Sequence, residues 1–238
     1  MISKNKLIDN KFYKYFNKFS FKKTFKPNYT TLSMLRFSNK YNLKNKNVLD
    51  LGCGSGIITA CLYQKKNYTN FFLSDLSKHS VQTATQNLNK IRINPEIRIG
   101  DCFKPWLGQK FDIIINDISG VSKKIAKISP WFKSIPTDKS DTGNYLLKKV
   151  LKDCPSYLSN RGIIITPIIS LSKVTDSLSY IKKNFRIQNI KKFEWPLPKE
   201  MNKYEKLLKI YKKKKIIDFN YKFGTIICYT LILSLKAK

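Results

Sequence analysis

Apolar residues fall in short consecutive runs along this chain, separated by longer stretches in which they recur every three or four positions. The runs at Asn47–Leu51, Asn70–Asp75, 96–100, Phe111–Asn116 and 162–166 read as strands apolar on both faces. The periodic stretches at 56–65, 78–90, 144–154 and 173–184 read as helices. Regular alternation of strand and helix predicts an α/β fold, a doubly wound, mostly parallel sheet with helices on both faces. Residues 4–22 place Ile8, Phe12, Phe16 and Phe19 on one helical face, with Lys11, Lys18 and Lys22 along its flank. That pattern suits a helix docked on the domain with snorkelling lysines, and also a helix lying on a membrane surface or on RNA. Pro27 ends it, and 28–41 gives a second helical pattern with Thr31 or Ser33 near its start. The division is a short N-terminal basic amphipathic helical extension over 1–40 and a catalytic-type α/β domain over 41–238. Beyond the last helix come strands at 185–193 and 225–235, separated by a lysine-rich helical stretch at 199–215.

A chain of 238 residues can bury one sizeable core. Its formal net charge of +31 is unusual, and lysine supplies all but five of its 46 basic residues. Such a field favours polyanionic partners, so ribosome or nucleic-acid contact through lysine-rich faces is one explanation. Lysine, asparagine and isoleucine are abundant together, however. Selection for nucleic-acid binding does not account for isoleucine, and an AT-rich genome accounts for all three. The five cysteines form no C-x-x-C pair and sit mostly in apolar runs, which speaks for a reducing, cytoplasmic setting without a metal site or disulfide framework. The apolar run at 225–235 is shorter than the roughly 20 residues a bilayer needs, so no transmembrane segment is expected.

The candidate chemistry lies where the first strand ends. NVLDLGCGSGIIT is strand, glycine turn and helix, a geometry that lays a ligand against bare backbone. The spacing is G-x-G-x-G, not the G-x-G-x-x-G of dinucleotide sites, and Asp50 stands two residues ahead of Gly52. A carboxylate there disfavours a diphosphate and suits an ammonium group. Asp75 ends the second strand 19 residues after Gly56, the separation at which an acid accepts ribose hydroxyls. Ribose, no phosphate at the loop and an amino-acid-like end together describe S-adenosylmethionine.

Asp50-Leu51-Gly52-Cys53-Gly54-Ser55-Gly56 resembles the first motif of class I S-adenosylmethionine-dependent methyltransferases. The resemblance continues through Asp75, Gly100-Asp101-Cys102 and 111–116, so it spans about residues 47 to 170. It implies a Rossmann-like seven-stranded sheet closed by an antiparallel last strand. It also implies that Gly52, Gly54 and Gly56 admit the methionine end of the cofactor, that Asp101 meets the adenine amino group, and that Cys102 lines the adenine pocket. Asn116 and Asp117 are the candidate catalytic residues. Amide and amino-nitrogen methyltransferases of this class carry Asn-Pro-Pro-Tyr here, whereas this chain has Asn116-Asp117-Ile118-Ser119. Asp117 is then either a base toward an ammonium or hydroxyl nucleophile or a turn residue. Ser119, Trp131 and Phe132 lie in the loop expected to meet substrate, where the two aromatics either stack on a base or peptide or simply anchor the loop. Within the class the chain is most similar to the release-factor glutamine methyltransferases and the methyltransferase small domain. That points to a macromolecular substrate, first a protein of the translation apparatus, second a base in rRNA or tRNA. A cofactor-fold module that binds RNA without turnover is the alternative outside enzymology.

Overall fold

The computed structural model describes residues 4–64, 68–118, 120–132 and 135–238. Its contacts group into two compact units, one of residues 1–117 and 153–166 and one of residues 118–152 and 167–238.

In the first unit, β1 (Asn47–Leu51) pairs in parallel with β2 (Asn70–Asp75) on one side and β4 (Phe111–Asn116) on the other. β3 (Glu96–Ile99) extends the sheet beyond β2, and β5 (Leu158–Ile169) extends it beyond β4, again in parallel. The central position of β1 explains its run of apolar residues, since Val48 and Leu49 are fully buried. β5 begins earlier than Gly162 because a register shift between Phe111 and Ile113 lets Phe111 pair with Leu158. Register also sets Leu51 beside Ser74 and Asn116, bringing the carboxyl ends of three strands together.

The helices α3 (Ile57–Leu62) and α4 (Lys78–Asn89) follow β1 and β2. Before them, α1 (Lys4–Phe16) turns Ile8 and Phe12 inward, the docked alternative for this stretch. Lys11 Nζ donates to the carbonyls of Cys61 and Tyr63, closing the end of α3. Arg36 on α2 (Tyr29–Ser38) meets both carboxylate oxygens of Asp9 at 2.8 Å, tying α1 to α2. The first helix ends at Phe16, short of the expected residue 22. Beyond it, Asn87 on α4 takes both the N–H and the carbonyl of Ser20, each at 2.9 Å, which holds the chain out of helical geometry. The cap of α2 is Asn28, whose side chain accepts from Thr30 N–H, leaving Thr31 free for another partner.

In the second unit, β8 (Thr225–Ala237) runs antiparallel to β6 (Phe185–Pro196), and the Ser170 N–H to Tyr229 carbonyl bond sets it against the end of β5. A three-residue strand, β7 (Asn220–Lys222), makes a hairpin with β8 and adds an eighth strand to the seven expected. The unit also carries α5 (Lys123–Ile128), α6 (Tyr145–Asp153), α7 (Val174–Asn184) and α8 (Glu205–Lys213). Its core gathers Val121, Ile125, Leu171, Trp195, Met201, Leu208, Phe219 and Cys228. The five cysteines are buried. No described helix is long and apolar enough to cross a membrane.

Candidate active site

The turn after β1 needs its glycines. Gly52, Gly54 and Gly56 have φ of 77°, 54° and 77°, a region that L side chains rarely adopt. Gly52 and Cys53 donate their N–H groups to the Ser74 carbonyl at 2.8 and 3.0 Å, fastening the turn to β2. Gly56 starts α3, and a Cβ there would come within 3.1 Å of Leu88, so this glycine also serves close packing of α4. At Gly54 a Cβ would meet only Thr24 Oγ1, at 3.6 Å.

Asp50 is fully buried under this turn. Its Oδ2 accepts from Thr59 Oγ1 at 2.7 Å, while Oδ1 has no partner. Burial pushes its carboxyl up to about 6, the Thr59 bonds oppose the shift, and the charge of Asp75 adds to it. Ser55 Oγ, in the turn itself, is likewise buried without a partner. A buried carboxylate oxygen that lacks a donor, behind a turn of bare backbone, fits a ligand that brings an ammonium group. The donor set therefore suits the amino-acid end of S-adenosylmethionine.

Asp75 is half-buried at the end of β2. Its Oδ2 accepts from Gly54 N–H at 3.0 Å and its Oδ1 from Ser77 N–H at 2.8 Å, so it links the glycine turn to the start of α4. Burial raises its pKa, against the pull of these bonds and of the Ser80 hydroxyl. A carboxylate offers about four acceptor sites, which leaves capacity beyond these three donors.

After β3, Gly100 donates to the Asp75 carbonyl, and a Cβ on Gly100 would collide with Pro105 at 2.3 Å. Cys102 is buried with a φ of 51°, and the Asp101 carbonyl accepts from Lys104 N–H. Phe103 stacks on Tyr157 with ring centroids 4.5 Å apart, so one of its faces is already covered. Trp106, which the strand-and-turn pattern did not single out, is fully buried and donates to Ser74 Oγ at 3.0 Å.

At the end of β4, Asn116 is fully buried and its Nδ2 donates to Thr166 Oγ1 on β5 at 2.8 Å. Asp117 donates its N–H to the Leu51 carbonyl, which holds it beside the glycine turn. Its Oδ2 accepts from Thr31 Oγ1 at 3.3 Å. Burial and then the charge of Asp50 push the Asp117 carboxyl up to about 7, with Thr31 opposing. Asp50, Asp75 and Asp117 are thus brought together around one turn. The sequence places Thr31 only near a helix start and gives no sign of its bond to Asp117.

Ser119 lies outside the described residues. Trp131 and Phe132 belong to the second unit, where they pack against its core, and Trp131 meets Trp195 with centroids 5.8 Å apart. Asp138 in the same segment is fully buried and satisfied by Ser140 N–H and Oγ and by Leu146 N–H, the tie that orders residues 138–146. His79 is exposed just inside α4. Among the described residues no cluster of His, Cys, Asp or Glu could hold a metal ion.

Residues 19–117 match the family model described as the methyltransferase small domain. A ribosomal protein L11 methyltransferase of Thermosipho melanesiensis is 31% identical over 70% of this chain and 53% of its own length. A release factor glutamine methyltransferase of Bacillus subtilis is 26% identical over 51% of this chain and 44% of its own. A ribosomal RNA small subunit methyltransferase C of Haemophilus ducreyi is 31% identical over 36% of this chain and 26% of its own. The chain therefore spans about half the length, or less, of these curated relatives. Among solved structures, the ribosomal protein L11 methylase of Lactobacillus delbrueckii superposes with a TM-score of 0.53 at 16% identity, over 89% of this chain and 80% of that one. Residues 19–117 are thus similar to the methyltransferase small domain, and the chain has the Rossmann-like fold of class I methyltransferases.

Proposed function

We propose that this protein transfers a methyl group from S-adenosylmethionine to a protein of the translation apparatus. The observation that carries the reading is the register of β1 and β4, which sets Leu51 beside Asn116. One strand edge then holds the turn suited to the donor and the two candidate catalytic residues. The bound cofactor supplies an electrophilic methyl group on a sulfonium whose positive charge vanishes as transfer proceeds. Asp50 faces the ammonium end, Gly52 and Gly54 admit it by lacking side chains, and Gly56 keeps α3 close to α4. Asp75 accepts from the ribose while bracing the turn, and Asp101 and Cys102 bound the adenine.

Asn116, fixed by Thr166, orients the nucleophile. Asp117 receives the proton that the nucleophile loses as its lone pair forms the new bond to carbon. A carboxyl held at about 7 exchanges protons readily at neutral pH. Its neighbour Asp50 adds negative potential that favours a cationic substrate group. The Asp-Ile pair in place of Pro-Pro speaks against a clamp for a planar base. The share of this chain aligned with the L11 methyltransferase, about twice that aligned with the ribosomal RNA enzyme, supports protein as the substrate class.

The test is incubation of the purified protein with methyl-labelled cofactor and ribosomes or ribosomal extract, followed by digestion. Label released by protease and resistant to ribonuclease is the expected result. Label released by ribonuclease assigns the enzyme to RNA bases. Cofactor binding with no labelled product in any fraction assigns a binding module.

A further inference from the structure

The β7–β8 hairpin carries a residue that the fold itself does not explain. Lys222 and Thr225 are cross-strand partners, so Phe223 and Gly224 form a two-residue loop. Both have positive φ, 49° and 71°, as a type I′ turn requires. Asn-Gly or Asp-Gly normally fills such a loop, because a bulky side chain is strained there. Phe223 is also fully exposed, at 105% of its reference area, so its ring adds nothing to the core. Backbone and solvent both disfavour phenylalanine at this point.

Its surroundings are cationic and aromatic. Tyr221 donates to Glu205 on α8, which also pairs with Lys209 at 2.8 Å, and the Lys209 ammonium lies 5.8 Å from the Tyr221 ring centroid. These contacts fasten β7 to α8 and consume the acid of that helix. Lys206, Lys209, Ile210 and Lys213 then follow one exposed helical stripe, continued by Lys214 and Lys215. Among the described residues, Lys206, Lys213, Lys214 and Lys215 have no acidic partner. The hairpin stands at the carboxyl ends of β5 and β6, where Ser170 bonds Tyr229 and Pro196 pairs with Ile227.

We propose that the β7–β8 hairpin and the outer stripe of α8 form a binding surface for single-stranded RNA, on which Phe223 stacks against an unpaired base while the α8 lysines hold phosphates. An exposed aromatic face beside a run of unpaired cations is the combination such binding uses. An acidic peptide would engage the lysines and leave the ring in water. The proposal needs neither methyl donor nor acceptor, so it stands or falls apart from the reaction proposed above.

The experiment titrates the full chain into a single-stranded RNA dodecamer containing 2-aminopurine, across a range of salt. Phe223→Ala is expected to weaken binding about five- to a hundredfold, to abolish the 2-aminopurine quench and to leave the salt slope unchanged. Lys206→Gln with Lys213→Gln should reduce that slope by about 1.4, the value for two lost phosphate contacts. Phe223→Asn restores the favoured turn, so it should melt no lower than the parent while losing RNA affinity like the alanine variant. Phe223→Trp should retain affinity. Binding of RNA by the alanine and asparagine variants as tightly as by the parent would overturn the proposal. So would a lower melting temperature for Phe223→Asn, which would give the ring a folding role. Loss of binding confined to vesicles of phosphatidylserine and phosphatidylcholine would also overturn it, in favour of a lipid surface.

Discussion

Asp75→Ala separates a cofactor-binding role from a bracing role, because the carboxylate has both kinds of partner. The substitution removes the acceptor for Gly54 N–H and for Ser77 N–H, and one partner of Ser80. Bonds to a charged group are worth roughly 1.5–3 kcal/mol each when buried. Asp75 is half-buried, so water reaches the freed groups, and its raised pKa records that burial already penalises the charge. The net loss of stability should therefore be about 1–2 kcal/mol, a fall in melting temperature of about 2–8 °C for a chain of this size. Loss of the ribose acceptor should weaken cofactor binding at least about tenfold, since about 1.4 kcal/mol is one decade. Calorimetric titration with S-adenosylhomocysteine reads the affinity, and a thermal melt reads the stability. Ser80→Ala is the control, because it loosens the same corner by removing one donor while leaving the carboxylate in place, and it should leave affinity within about threefold. An Asp75→Ala protein that binds the ligand as tightly as the parent would refute the ribose assignment, whatever its melting temperature.

Further expectations follow from the same geometry. Asp117 has a folded pKa of about 7 against an ordinary value near 3.8, so the fold favours its protonated form and loses stability as pH rises through that window. Asp117→Asn should therefore gain on the parent by about 2.5 kcal/mol more at pH 8 than at pH 5 in urea unfolding, and an equal difference at both pH values would contradict the burial assigned to it. Gly56→Ala places a Cβ at a φ of 77° and within 3.1 Å of Leu88, and should cost about 1–3 kcal/mol in chemical denaturation. Asn116→Ala removes the buried partner of Thr166 and should lower stability by about 1–3 kcal/mol, while the Thr166→Val, Asn116→Ala pair should cost less than the sum of the single changes.

Much of the first unit was legible because its strands are mostly short runs of apolar residues with clear punctuation. Asn47–Leu51, Asn70–Asp75 and Phe111–Asn116 emerge with the expected bounds, since glycine or aspartate ends each run of core-facing residues. The glycine turn and its acids were legible for the same reason: the φ values near 54–77° admit little besides glycine. What stayed hidden depends on partners distant in sequence. The early end of α1 is set by Asn87, some seventy residues on, and the tie between Thr31 and Asp117 spans a similar distance. The stacking of Phe103 on Tyr157 likewise follows from where β5 begins. α5 and β7 are too short for periodicity to reveal, and a loop aromatic such as Trp131 does not announce the Trp195 against which it packs.

A crystal of the protein grown with S-adenosylhomocysteine tests the central claim most directly. The account predicts the ligand's ammonium within hydrogen-bond distance of Asp50 Oδ1 or of one water bound to it, and the ribose hydroxyls at Asp75. The adenine should lie between Asp101 and Cys102, and the sulfur should face Asn116. Ligand bound elsewhere on the chain, or a glycine turn that excludes it at saturating concentration, would contradict the account.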